Sequence, residues 1–263
     1  MNQDLFGDLT QVERILTELF PDLPDIAPLR HLASGVTSVV VETSSGIVFR
    51  LGKNTAAAAS YERESRLLPA LRPHVDLPIP EPRWYAPPSP QAPFGVFGYP
   101  KLAGVPLNRR HLAHLDWHRL AEGIAAFLHQ LHSSPVADFV DLGLPVFHSK
   151  LEALRVTQSK VLPYLKLILA TDEYEVVVRW WDELLIDQCM QDYESVLVHG
   201  DLFYANVLLE EATSTVTGVV DFENSTLGDP AQDLAVQYHL GRDFAESVIT
   251  AYQRVTDMLL TVA

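Results

Sequence analysis

Between Val198 and Asp233 the chain reads VHGDLFYANVLLEEATSTVTGVVDFENSTLGDPAQD, and this stretch constrains the fold more than any other. It sets His199-Gly200-Asp201, Asn206 and Asp221-Phe222 around two short apolar runs, Val207–Leu209 and Val216–Val220. The runs read as the strands of a hairpin turning over Glu211–Thr215. A hairpin of that length returns Asp221 to the neighbourhood of Asn206.

One carboxylate followed by an amide oxygen and a second carboxylate is the residue set that phosphoryl transfer uses in kinase folds. In that reading Asp201 is the base that accepts or orients an attacking hydroxyl. Asn206 and Asp221 are the ligands of Mg²⁺, a hard cation that takes oxygen donors from protein, phosphate and water. The kinase loop has the order His-Arg-Asp, four residues, then Asn; here Gly200 stands in place of the arginine. Taken singly, Asn206 reads as the cap of a turn and Asp221 as the end of a strand; their spacing from Asp201 favours the site. His199 reads as shaping the loop through hydrogen bonds. Asp229 reads as the cap of the next helix, with Pro230 at its first position. Asp233 reads as a support that holds the loop by hydrogen bonds.

Ahead of this block the pattern divides. Residues 8–20 carry Val12, Ile15, Leu16 and Leu19 at helical spacing. Residues 28–51 read as a β-hairpin whose second strand is Ile47–Leu51, after a turn at Thr43–Gly46. Within its first segment, Ser34, Gly35, Thr37 and Ser38 supply amides and hydroxyls that can cover phosphates. Residues 55–71 read as an alanine- and leucine-rich helix that Pro69 should end or kink. The prolines from Pro78 to Pro93 read as an extended connector, with Trp84-Tyr85 a short strand inside it; a polyproline ligand is the other reading. Phe94–Leu102 reads as the last strand and Ala103–Leu107 as a flexible exit.

From there the periodicity becomes helical. Residues 115–132 predict a helix with Asp116 as N-cap and a buried stripe of Leu120, Ile124, Phe127, Leu128 and Leu131. Residues 149–168, 172–190, 230–240 and 243–260 also read as helices. His111, His114 and His118 lie three and four apart, which can make a metal face on a helix. No carboxylate or cysteine completes it, so they read as surface histidines. Trp180-Trp181 reads as core packing before a sugar or macrolide pocket.

The net charge of −15 argues against nucleic acid and acidic lipid as partners and suits a cationic substrate; solubility alone is the plainer reading. No apolar run reaches the roughly 18 residues of a membrane span. The opening MNQDLFGDLT has no basic region before an apolar run, so no signal peptide is expected. The single cysteine, Cys189, cannot form an internal disulfide, which makes the cytoplasm the expected location.

The chain resembles the aminoglycoside phosphotransferase family of small-molecule kinases, which share the protein-kinase-like fold. HGDLFYANVL and GVVDFENSTLGDPAQDLA carry the resemblance most strongly. SGVTSVVVE, VFRLG, RESRLLPAL and FGYPKLAGVPL carry it more loosely, and together they span about Ala33 to Tyr238. The resemblance implies a bilobal α+β fold, with a small antiparallel β N-lobe over 1–102 and a larger, mostly helical C-lobe over 103–263. It implies ATP or GTP in the cleft against a hinge near Phe97–Leu102, with Phe97, Gly98 and Tyr99 as nucleotide contacts. Arg50 on its strand pairs with helical Glu64 to hold the α- and β-phosphates.

Some residues depart from the pattern. Arg50 stands where the family usually has lysine, and Lys53 is the nearest substitute. The triplet Asp221-Phe222-Glu223 lacks the usual glycine, and no long activation segment follows. The acceptor implied is a small hydroxylated molecule, aminoglycoside-like or another cationic or sugar substrate. Glu223, Asp182 and Glu183 are candidate contacts for it, and the acids of Thr171–Glu194 otherwise read as a solvated face. Kinases of metabolites such as choline, homoserine or fructosamine, a protein Ser/Thr kinase, and a non-catalytic nucleotide-binding scaffold are the competing readings. Monomer and homodimer both stay open.

Overall fold

The central strand of the sheet explains how one side chain can face the cleft while its neighbours face a helix. In this computed structural model, which describes residues 6, 8–110, 112–146, 151–187 and 193–256, strands β1 (Arg30–Ser34), β2 (Ser38–Glu42), β3 (Ile47–Gly52), β4 (Trp84–Ala86) and β5 (Val96–Pro100) form an antiparallel sheet in the order β1-β2-β3-β5-β4. Every residue of β3 is buried, so its side chains alternate between two covered faces. Ile47, Phe49 and Leu51 pack with Val12, Ile15 and Leu16 of helix α1 (Leu9–Leu19). Val48 packs on the other side, with Tyr61 and Leu68 of helix α2 (Thr55–Leu71). Arg50 shares the parity of Val48, so it points toward α2 and the cleft.

Two local expectations change. Residues 28–51 form three strands, because the Gly35 amide donates to the Ser38 carbonyl at 2.9 Å and turns the chain between β1 and β2. Pro69 neither ends α2 nor separates it from its last turn; the helix runs to Leu71 and tightens into a 3-10 turn over Arg72–His74. A proline this close to the C-terminus forfeits one amide bond where the helix is about to end.

The chain then crosses to a mostly helical region. The expected loose exit at Ala103–Leu107 is partly ordered: β6 (Val105–Pro106) pairs with β8 (Val207–Glu210), which pairs with β9 (Thr215–Val219). A second small ribbon joins β7 (Val196–Val198) to β10 (Thr226–Gly228). Helix α3 (Trp117–His132) starts at Asp116, whose carboxylate accepts from the His118 and Arg119 amides at 3.1 and 3.2 Å. Its predicted stripe, Leu120 to Leu131, is buried. Helices α4 (Leu151–Ile168) and α5 (Thr171–Ile186) pair with each other and leave Tyr164, Leu167 and Trp180 exposed, while Trp181 is buried. Helices α6 (Ala231–Ala235) and α7 (Arg242–Thr256) close the fold, with α7 against α3. Predicted helical ends at 149–150, 188–190 and 257–260, with His111, Cys189 and Asp192, lie outside the described residues.

Candidate active site

The loop after β7 is gripped from the start of α6. Asp233 is fully buried, and its carboxylate accepts the His199 amide at 2.8 Å and the Gly200 amide at 2.9 Å. Gln232 donates to the Gly200 carbonyl at 3.1 Å, and Gln237 donates to the Leu202 carbonyl at 3.0 Å. Gly200 has φ 82°, and a side chain there would run into the Asn224 carbonyl. The loop therefore has one path, and Asp201 sits at its apex. His199 is buried and its Nε2 donates to the Val220 carbonyl at 3.1 Å; burial lowers its pKa, which keeps the ring neutral for that structural bond.

Asp201 is half-buried, and among the described residues its carboxylate makes no hydrogen bond. Burial raises its pKa above the ordinary carboxyl value, and the nearby Asp221 and Asp233 push the same way against His199 and His239. The hairpin does what its length predicts. Val207 pairs with Val219, and the Val220 amide donates to the Asn206 carbonyl at 2.9 Å, so Asp221 follows directly beside Asn206. Asn206 Nδ2 donates to the Asp201 carbonyl at 2.9 Å, which leaves its Oδ1 as the atom for a cation.

Asp221 has φ 68°, a left-handed conformation that non-glycine residues rarely adopt. Its Oδ1 is buried, makes no hydrogen bond among the described residues, and has Arg50 Nη2 as an ion-pair neighbour at 3.1 Å. A carboxylate that can exchange this ion pair, close to an amide oxygen, is a donor set that fits Mg²⁺. No group of three or more His, Cys, Asp and Glu among the described residues is arranged to hold a metal by itself. Such a pair would therefore share the ion with phosphate oxygens and water. His114 and His118 are exposed.

Across the cleft, Arg50 draws carboxylates from α2 and from the segment after β9. Its Nη1 donates to both oxygens of Glu64, at 3.0 and 2.8 Å; Nη2 lies 2.8 Å from Glu223 Oε2 and 3.1 Å from Asp221 Oδ1. The guanidinium stacks over Tyr61, 5.2 Å from the ring centroid. Burial works against its charge, but Glu64 and Asp221 more than restore it and raise its pKa. Burial likewise pushes the Glu64 carboxyl up against the pull of Arg50.

The two sides enclose a cleft of about 510 Å³. Val40, Val48 and Tyr99 line it from the sheet, and Leu208 and Val220 from the helical side. Arg50, Asn206 and Asp221 form its polar end.

Several expected contacts fall elsewhere. Phe97 is fully buried and stacks on Tyr61, and Gly98 faces the Phe49 ring; within the expected hinge stretch Tyr99, Lys101 and Leu102 line the cleft. Ser38 is buried, with its hydroxyl taken by Tyr61 at 2.9 Å. Lys53 ties the turn by donating to Ser34 Oγ at 2.8 Å and the Gly35 carbonyl at 2.9 Å, so it does not replace Arg50. Thr37 reaches Glu223 at 3.2 Å, and Glu223 is thereby held by Thr37 and Arg50. Asp182 and Glu183 are exposed on α5 and do not line the cleft. Asp229 accepts from the Ala231 amide at 2.9 Å, but α6 begins at Ala231 with Pro230 at the cap position, one residue later than expected.

The sequence reading missed Arg30, Leu32 and Ala33, which line the cleft from β1. No local signal marks β1 as cleft-facing.

The Phosphotransferase enzyme family matches residues 25–258 of the chain. A comparison with curated proteins found no match. Among solved structures, the GDP and kanamycin complex of APH(2")-IIia is 24% identical, with a TM-score of 0.83 over 93% of this chain and 83% of that one. Macrolide 2'-phosphotransferase MphH from Brachybacterium faecium is 25% identical, with a TM-score of 0.70 over 94% and 83%. The streptomycin-ATP-APH(2")-IIa ternary complex is 20% identical, with a TM-score of 0.70 over 96% and 83%. The arrangement of sheet and helices is thus the kinase-like, two-lobed one.

Proposed function

The chain belongs to the Phosphotransferase enzyme family, and from that premise we propose that it moves the γ-phosphoryl group of ATP or GTP to a hydroxyl of a small cationic or sugar-like acceptor of the aminoglycoside or macrolide kind. The observation that carries this reading is the Asp201 carboxylate, unbonded among the described residues, on a loop whose amides are fixed by Asp233 and to which the hairpin brings Asn206 and Asp221.

Apolar walls and a charged end match the two ends of a nucleotide. Val40, Val48, Leu208 and Val220 suit a flat base; Arg50 suits phosphate. Magnesium bound at Asn206 and Asp221 would neutralise charge on the transferring phosphate. Asp201 takes or orients the hydroxyl proton of the acceptor, and its raised pKa makes it a better base than an ordinary exposed aspartate. Complexes of the similar structures contain GDP, ATP, kanamycin and streptomycin, which supports both the nucleotide and the acceptor class. The net charge of −15 fits a polycationic acceptor.

The experiment is Mg²⁺-dependent consumption of ATP and GTP against aminoglycosides, macrolides, amino alcohols and sugars. Turnover on one class is expected, with Asp201→Ala slower by roughly 10²–10⁴-fold. Undiminished turnover in Asp201→Ala would rule the mechanism out.

A further inference from the structure

Behind Asp233 lies a buried polar chain that the reaction as described does not use. His132, at the end of α3, places Nε2 3.2 Å from Asp233 Oδ2 and Nδ1 2.9 Å from the hydroxyl of Tyr252 on α7. His132 and Tyr252 are buried, at 7% and 3% exposure, and Asp233 at 0%, so water does not compete for these contacts. The partners are 101 and 120 residues apart in sequence.

We propose that His132 and Tyr252 are positioning residues for the catalytic loop: Tyr252 anchors the His132 ring through Nδ1, and His132 sets the rotation of the Asp233 carboxylate that holds the loop amides. This rests on the reading of Asp201 as the base.

The hydrogen-bond directions follow from what each group can do. The His199 and Gly200 amides only donate, so the Asp233 carboxylate is their acceptor. Oδ2 already takes the His199 amide, and its second contact is His132 Nε2, which must carry the hydrogen. The Tyr252 hydroxyl, which can donate or accept, holds the other ring nitrogen, Nδ1, at 2.9 Å. Burial, with Asp233 nearby, raises the phenol to about 12, so the hydroxyl keeps its proton. With both nitrogens held, the ring has one orientation, and that orientation aims Nε2 at Asp233.

The chain matters to the loop because the loop has no slack. Gln237 holds the Asp233 main-chain carbonyl at 3.1 Å, but it does not touch the carboxylate. Among the described residues, His132 is the side chain that fixes how the carboxylate is turned. A turn of that group misaligns two adjacent amides, and Asp201 is the next residue along.

Tyr252→Phe removes one hydroxyl and keeps the ring. Amide hydrogen exchange at His199 and Gly200 is expected to rise about tenfold, the factor set by about 1.4 kcal/mol of lost hydrogen bonding, with α3 and β8 unchanged. The rate of phosphoryl transfer is expected to fall by a similar factor at unaltered nucleotide affinity. His132→Leu is expected to do the same more strongly, and His132→Gln, which restores a donor toward Asp233, to recover most of the protection and rate. Unchanged exchange at the two amides, or an equal loosening of the whole helical region, would overturn the proposal. Exchange is read without substrate, so absence of turnover in the wild type would count against phosphoryl transfer alone and leave this result decisive.

Discussion

On the helical side of the cleft, the buried Asp233 carboxylate is held by main-chain amides of the loop it supports. On the sheet side, the buried Arg50 guanidinium is held by the side chains of Glu64, Asp221 and Glu223. Both arrangements satisfy a charge taken out of water, but they differ in what a ligand can change. Amides of a loop with one allowed path are fixed. Carboxylates at 39% and 19% exposure, as on Asp221 and Glu223, can trade their place on Arg50. One side is built as a frame, the other as an exchangeable grip.

The contrast is broken most simply at Asp233. Asp233→Ala leaves the buried amides of His199 and Gly200 without acceptors, at about 1–3 kcal/mol each. The melting temperature should drop by roughly 2–4 °C for each kcal/mol lost. An unshifted melt would show that the loop does not depend on this frame. Arg50→Lys should behave in the opposite manner. It keeps the charge facing Glu64 but loses the fork that reaches across to Glu223 and Asp221. Nucleotide affinity should weaken about tenfold, or about 1.4 kcal/mol, while calorimetric unfolding changes little.

Acid separates the same two groups. The donors around Asp233 outweigh its burial and hold its carboxyl below the usual range. Its stabilising contribution is therefore complete above the unfolded value of about 3.9, and is lost as the pH falls through the lower folded value. Asp201 is shifted the other way, so the rate should decline first, while the fold is still intact, as the pH drops through its raised value. A pH–rate profile beside an acid unfolding curve checks this order; coincident transitions would contradict it.

The smallest effect is expected on α5. Asp182→Asn and Glu183→Gln lie on an exposed face outside the cleft, so stability should move within about 0.5 kcal/mol and nucleotide affinity not at all. A raised acceptor KM in either variant would bring that face into the acceptor site.

Legibility followed sequence distance. Asp201, Asn206, Asp221 and Asp233 were readable because a short hairpin and one helix start carry them back to a single loop, and local turn chemistry sets that path. The sheet side was not readable to the same degree. Strand parity tells that Phe97 and Gly98 face opposite ways, but which face meets the cleft depends on strand order and on what α1 and α2 cover. The split of residues 28–51 into three strands turns on the Gly35–Ser38 bond and on Lys53 and Asn54 reaching back to the SGVTS turn from beyond the next strand. The Arg50–Glu223 contact spans 173 residues, and the Tyr252–His132 contact 120, distances over which no spacing rule operates.

The division between frame and grip is tested most directly by titrating Mg²⁺ with ATP or GTP into wild type, Asp201→Ala and Asp221→Asn by calorimetry, with phosphoryl transfer followed in the same preparations. Asp201→Ala should bind nucleotide like the wild type and fail to transfer, while Asp221→Asn should lose the part of the affinity that depends on magnesium. Equal loss of nucleotide binding in both variants, or magnesium dependence intact in Asp221→Asn, would contradict the assignment.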